Sequence, residues 1–237
     1  MMLMEEMTWT EIEAGLEETR TVILPVGATE EHGPHLPIFT DTIQALEVAK
    51  EVSRRRPVFV APPVHYGVCR STRGFPGTIS ISPGALRALT LDLLLAFRES
   101  GFDRILILTG HAGGQHLAAL KEAAERAVAD GDLLVSLVSD FDLIDASQVE
   151  TPGDGHAGEI ETSRMLVIRE DLVKGLPDKH FPPRQKYLIM KDVRHLMGNG
   201  VMGDPSKASR EKGEKFMEMS VLGVLDALEE LENYPSP

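Results

Sequence analysis

The sequence predicts an α/β fold in which helices cover a mostly parallel sheet. Three observations carry this expectation. Apolar runs of strand length alternate with amphipathic stretches of helical length, the pattern of successive βαβ units. The first run, Thr21 to Ala28, is apolar almost throughout rather than at alternate residues, as a strand buried on both faces is. Histidines and acids gather just after such runs, where open α/β sheets form their sites.

Taken in order, TVILPVGA (21–28) is expected as the central strand. Thr40 to Arg56 is expected as a helix, because Ile43, Leu46, Val48 and Ala49 fall on or near one face and Thr40 is available as an N-cap. PVFVAPP (57–63) reads as a second strand, and the loop VHYGVCRSTRGFPGT (64–78) is longer than a connector needs. Ser82 to Phe102 has a capping serine, a proline in its first turn and a glycine near its end, so it reads as a helix. Ile105 to Thr109 is a buried strand broken by glycine, HLAALKEAAERAVADG (116–131) a helix, and DLLVSLVSDF (132–141) a further strand. Residues 153–170 form a glycine-rich loop running into a helix, and an acidic amphipathic helix closes the chain. At 237 residues, with no repeat or linker, one domain spanning 1–237 is expected.

The formal charge is −13, with 37 acidic residues against 24 basic, so the long-range field repels nucleic acid and anionic membrane surfaces. A single cysteine, Cys69, excludes an intrachain disulfide and fits a reducing compartment. The N-terminal residues lack the basic and apolar regions of an export signal, and no apolar stretch approaches the roughly 18 residues that span a bilayer. A cytoplasmic protein without nucleic-acid or membrane partners is expected.

Three polar constellations carry the chemistry. In VGATEEHGPHLPIFTDT, Glu30 and His32 precede Asp41, which opens the expected helix; carboxylates and imidazoles together suit Zn, Mn, Fe or Ni. The same segment also reads as solvated loop acids, a surface histidine and a capping aspartate. TGHAGGQH places His111 on a glycine-flanked turn after a buried strand, a way of aiming a side chain into a crevice. Its glycines match neither phosphate-binding pattern, and His116 on the following helix reads as structural or solvent-facing. GDGHAGEIETS sets His156, Glu159 and Glu161 at a loop-to-helix junction. Residues three apart share a helix face, so His156 and Glu159 are candidates for one site, whereas Glu161 meets His156 only if the HAG segment stays unwound. Acids at a helix start also answer the dipole alone. Together the three describe a two-metal hydrolase centre, in which a shared water is deprotonated near neutral pH and aimed at a polarised carbonyl.

PVGATEEHGPHLPIFTDT, FPGT (75–78), TGHAGG, HAGEIETS and GVMGDPSKASREKGEKF, in that order from about Thr21 to Phe216, resemble the creatininase family. The resemblance implies a three-layer α/β/α fold with a mainly parallel sheet, a homohexamer, and two divalent metal ions per subunit (Zn, Mn or Fe) acting on a small cyclic or linear amide. Carried over by position, Glu30 would bind the first ion, His32 and His111 the second, and Asp41 would bridge them. His156 would shuttle a proton to the leaving nitrogen with Glu161 orienting it, and His35 would support the site from behind. Gly113 stands where the family's creatininase has a ligating glutamate, so Glu159 is the candidate replacement. The pocket tryptophans are missing, Trp9 being the sole one, which argues against creatinine as substrate. Arg70, Ser71 and Arg73 in the long loop are candidate anchors for an anionic substrate. The alternatives are a non-catalytic metal- or ligand-binding member, which Gly113 favours, and a deformylase or peptidase acting in cofactor biosynthesis.

Overall fold

Among the described residues, five strands form one sheet in which every neighbouring pair is parallel: β1 (Met2–Leu3), β2 (Thr21–Val26), β3 (Phe59–Val60), β4 (Arg104–Thr109) and β5 (Leu134–Ser139), in spatial order β1-β3-β2-β4-β5. This is a computed structural model, and it describes residues 1–183 and 187–235. Six α-helices accompany the sheet among the described residues: α1 (Trp9–Gly15), α2 (Thr40–Arg55), α3 (Pro83–Glu99), α4 (Gly114–Ala127), α5 (Glu159–Ile168) and α6 (Arg210–Asn233).

Alternation along the two central strands builds the layers. Val22, Leu24 and Val26 of β2 join Ile105 and Ile107 of β4 against Leu86 and Leu94 of α3 and Leu120 of α4. Ile23, Leu106 and Leu108 point the other way, against Val48 and Val52 of α2 and Val221, Val224 and Leu228 of α6. The result is the three-layer α/β/α arrangement, with both faces of β2 and β4 buried. Each such side chain contributes about 1.5–3 kcal/mol relative to exposure.

Several bounds move for local reasons. The second strand shrinks to Phe59–Val60 because Pro57, Pro62 and Pro63 cannot donate to a ladder. Thr40 lies inside α2 rather than capping it, and its hydroxyl donates to the Pro37 carbonyl at 2.7 Å. Ser82 does cap α3, accepting from Ala85 N at 3.1 Å. β1 and α1 were not expected; two residues of strand carry no periodicity, and α1 is seven residues long, held by a capping box between Thr8 and Glu11.

From β2 the chain passes through α2 to β3 on one side, and from β4 through α4 to β5 on the other. The two connecting helices lie on opposite faces, so the carboxyl ends of β2 and β4 form a switch point where a crevice opens. Gly27 and Gly110 continue these strands, and both abut the first turn of α2: a Cβ on Gly110 would overlap the Asp41 carbonyl, and one on Gly27 would overlap Thr42. Glycine at both places lets α2 start directly against the crevice. Across it, α5 is tied to the residues after β5 by a buried pair, Arg164 Nη2 to Asp140 Oδ2 at 2.9 Å. Among the described residues no helix is long and apolar enough to cross a membrane.

Candidate metal centre

Asp41, in the first turn of α2, is buried at the crevice and faces two imidazoles at once. His32 Nε2 lies 2.9 Å from Asp41 Oδ1, and His111 Nδ1 lies 3.2 Å from Asp41 Oδ2. A glutamate stands beside each histidine: Glu30 Oε1 is 2.7 Å from His111 Nδ1, and Glu161 Oε1 is 3.6 Å from His32 Nε2. Two half-sites, each a histidine with a glutamate, thus share one aspartate.

The donor chemistry and its wiring fit metal ions. Both histidines hold their outward nitrogens on backbone carbonyls, His32 Nδ1 donating to Glu30 O at 3.1 Å and His111 Nε2 to Val68 O at 3.1 Å. That fixes each ring so that its inward nitrogen is free to coordinate when the imidazole is neutral. One N–H of His111 cannot serve both Glu30 and Asp41, and Asp41 Oδ2 is left buried without a hydrogen bond. A carboxylate oxygen in that state has a deficit that a cation would fill.

The field is correspondingly negative. Burial works against charge on His32 and His111, yet the neighbouring carboxylates, Asp41 and Glu161 for His32 and Glu30 and Asp41 for His111, hold both well above the ordinary imidazole range. Burial likewise pushes Glu30, Asp41 and Glu161 up, and the histidine charges more than offset it, so all three sit below the usual carboxylate range. These protons occupy the place a cation would take.

His156 reaches the same centre from the loop before α5. Its backbone pairs with Met202, and its Nε2 donates to Glu31 O at 2.8 Å and lies 3.4 Å from Glu31 Oε1. Its ring stacks at a tilt on His32, centroids 4.4 Å apart. A cavity of about 160 Å³ opens in front, lined by Glu30, Asp41, Ser71, His111, His156 and Glu161, with Phe141, Met197 and Met202 as apolar walls.

Several expectations change. Glu159 is not a member of this cluster. α5 begins only at Glu159, so His156 and Glu159 are not on one helix face. The Glu159 carboxylate accepts instead from Glu150 N at 3.1 Å, Thr151 N at 2.7 Å and Lys212 Nζ at 2.8 Å. Glu161, two residues on, turns into the crevice and accepts from Ala157 N. It lies beside His32 in the cluster, and the acid next to His156 Nε2 is Glu31. The pairing differs too, since His111 sits with Glu30 and His32 with Glu161. Arg70 and Arg73 do not enter the cavity with Ser71; they line a neighbouring one of about 180 Å³, and Arg70 Nη2 donates to Met190 O at 2.6 Å. His35 holds Thr162 through Nε2 at 2.8 Å. His116 is fully buried, accepting from Val68 N at 3.3 Å, and burial then the His111 charge lower its pKa to about 3.

Two participants had no signal in the sequence beyond their place in the long loop. Thr72 donates to Glu30 Oε2, and the Cys69 thiol lies among the ligand atoms of Glu30 and His111, all within 4.8 Å of one another.

Residues 5–228 match the family model of creatininase, creatinine amidohydrolase. The chain belongs to the creatininase family. It is 35% identical over 221 residues to the mycofactocin precursor peptide peptidase of Mycolicibacterium smegmatis, covering 87% of this chain and 83% of that protein. It is 30% identical over 249 residues to the creatinine amidohydrolase of Pseudomonas putida, covering 95% of each. Among solved structures, a glutamate-to-glutamine creatininase variant of Zn-Zn type superposes with a TM-score of 0.89 at 29% identity, over 98% of both chains. As a creatininase-family member the chain is a metal-dependent hydrolase of C–N bonds, and its crevice offers the ligands for divalent metal.

Proposed function

We propose that this creatininase-family hydrolase holds two divalent ions, one at Glu30 and His111 and one at His32 and Glu161, with Asp41 bridging, and cleaves a small amide. The observation that carries the reading is the division of the Asp41 carboxylate between two imidazoles, Oδ1 toward His32 and Oδ2 toward His111. A residue placed only to cap α2 has no reason to be flanked in this way.

When bound, the ions supply Lewis-acid polarisation of the amide carbonyl and a water acidified toward neutral pH. The chain's own residues do the rest. Glu30, His32, Asp41, His111 and Glu161 fix the electrophilic centre at the floor of the cavity. His156, anchored through Nε2 on the Glu31 carbonyl, lines the cavity and delivers a proton to the departing nitrogen. Phe141, Met197 and Met202 keep bulk water from the reacting atoms, and Ser71 is placed to bind a polar substrate group. Arg70 and Arg73 extend this reading to substrates long enough to reach the adjoining cavity.

The homohexamer and the cytoplasmic location belong to the same proposal. The family resemblance supports the assembly, and the exposed Leu188 and Ile189 offer apolar surface for a second subunit. The single cysteine, unpaired and buried, supports a reducing compartment.

A second reading, peptide trimming in cofactor biosynthesis, is favoured by the 35% identity to a mycofactocin precursor peptide peptidase. One screen separates the readings: the metal-loaded protein is assayed on cyclic amides, formamides and short peptides, beside His156→Ala. Turnover of cyclic amides or formamides supports the first reading, and cleavage restricted to peptides the second. Bound metal with no turnover in any class identifies a non-catalytic member and overturns both.

A further inference from the structure

The two half-sites are unequal in a way that the proposed dinuclear centre leaves unexplained. On the Glu161 side the donors are His32, Asp41 and Glu161, and the cavity is lined from both sides, by Glu161 and by Glu30 and His111. On the Glu30 side the protein carboxylate and imidazole donors are Glu30, Asp41 and His111. Gly113, two residues beyond His111, has no side chain to add, and a Cβ there would lie 2.5 Å from His111 Nε2. Glu159 is committed to Lys212 and to two backbone amides. A tetrahedral ion takes four ligands, so each side is one protein donor short, and it is the Glu30 side that has a thiol within reach.

The Cys69 thiol stands in that gap. It is fully buried in the turn between Val68 and Arg70, and its sulfur lies with a Glu30 oxygen and a His111 ring nitrogen, each within 4.8 Å of the others. The turn is held in place on either side: Val68 O accepts from His111 Nε2, Cys69 N donates to Ser80 Oγ at 3.0 Å, and Thr72 Oγ1 donates to Glu30. A second, independent feature points to a cation at the same place. Asp41 Oδ2, buried and without a hydrogen bond, faces His111 Nδ1 at 3.2 Å, and Glu30 Oε1, of the residue beside the thiol, meets the same nitrogen at 2.7 Å. A structural cysteine would be surrounded by apolar side chains as a small hydrophobe; this one sits beside Glu30.

We propose that Cys69 is a thiolate ligand of the ion at Glu30 and His111, which makes that half-site a closed four-donor site of carboxylate, imidazole and sulfur. This rests on the dinuclear reading above and adds to it a division of labour. Thiolate is a soft donor that selects zinc or cobalt over manganese and magnesium, so the Glu30 side holds a firmly bound ion. The Glu161 side, with three donors and an open position, exchanges its ion and meets the substrate.

The test uses the full chain, stripped with a chelator and titrated with Co²⁺ while absorbance is followed. Because Cys69 is the sole cysteine among the 237 residues, any thiolate-to-cobalt charge-transfer band in the near ultraviolet reports on it alone. We expect the band to rise with the first equivalent and to be absent from cobalt-loaded Cys69→Ser. Zinc affinity of one of the two sites, read by competition with a chromophoric chelator, should fall at least about tenfold in Cys69→Ser, no less than for loss of an outer partner of a ligand. Cobalt bound at two equivalents to the wild-type chain without the band overturns the ligand assignment and leaves the dinuclear centre standing. A chain that binds no cobalt overturns the dinuclear reading and this inference together. The spectrum of the wild-type chain decides the matter even if the variant fails to fold.

Discussion

Asp41 presents one oxygen to His32 and the other to His111, and its neighbours hold it ionised well below the ordinary aspartate range despite complete burial. At the scale of the residue, two predictions follow from the charges around it. The first concerns protons. His32 and His111 are raised above the ordinary 6.5, so both carry a proton at neutral pH when no ion is bound, and an ion must displace both to coordinate. Metal affinity should therefore keep rising with pH above 6.5, where it would level off for free imidazoles. Calorimetry in buffers of different ionisation enthalpy should register about two protons released from the imidazoles on filling the centre, and about one more from the Cys69 thiol, which burial and Glu30 hold protonated without metal; no proton release would contradict the wiring. The second concerns His156, which is tied to Glu31 and stands outside the ligand pairs. His156→Ala should keep its metal and lose roughly 10²–10⁴-fold in turnover, the contribution of a positioned proton donor; loss of metal would make it a ligand instead.

At the scale of the element, the site depends on where helices begin. α2 starts flush against the crevice because Gly110 leaves room for the Asp41 carbonyl. Gly110→Ala should force α2 away, destabilising the chain by about 1–3 kcal/mol as overpacking does and weakening metal binding, both measurable in one chelator-dependent melting series. Unchanged metal affinity in that variant would show that the contact does not position Asp41. α5 is placed by Arg164, fully buried and bonded to Asp140, whose carboxyl burial nonetheless pushes up. Arg164→Met leaves that acid unpaired in the interior, and chemical denaturation should register a loss of about 3–5 kcal/mol. The double variant with Asp140→Leu should recover much of the loss, because it removes the orphan as well. Ala157, at φ 49°, is held in a left-handed turn between His156 and α5. That turn keeps His156 off the helix and lets Glu161, rather than Glu159, face His32 and Asp41.

At the scale of the whole molecule, much of the sheet could be read from the chain, because apolar runs and glycine breaks are local signals. The crevice at strand ends followed from the same pattern, and with it Glu30, His32, Asp41, His111 and His156 as neighbours. What resisted reading was what depends on tertiary register. Glu159 and Glu161 lie two residues apart, about 200° around a helix, so misplacing the start of α5 exchanges one for the other. The pairing of His111 with Glu30 follows from β4 lying beside β2, which no local pattern states. Cys69 gave no sign, since a lone cysteine in a loop reads as a small apolar residue until its neighbours are known. The expected domain spans residues 1–237, of which 184–186 and 236–237 lie outside the described residues. The measurement that tests the central claim most directly is the metal content of the reconstituted chain beside Asp41→Ala. The shared carboxylate predicts two ions per subunit in the wild-type protein and the loss of at least one in the variant. Full occupancy in Asp41→Ala would contradict a centre built around that residue.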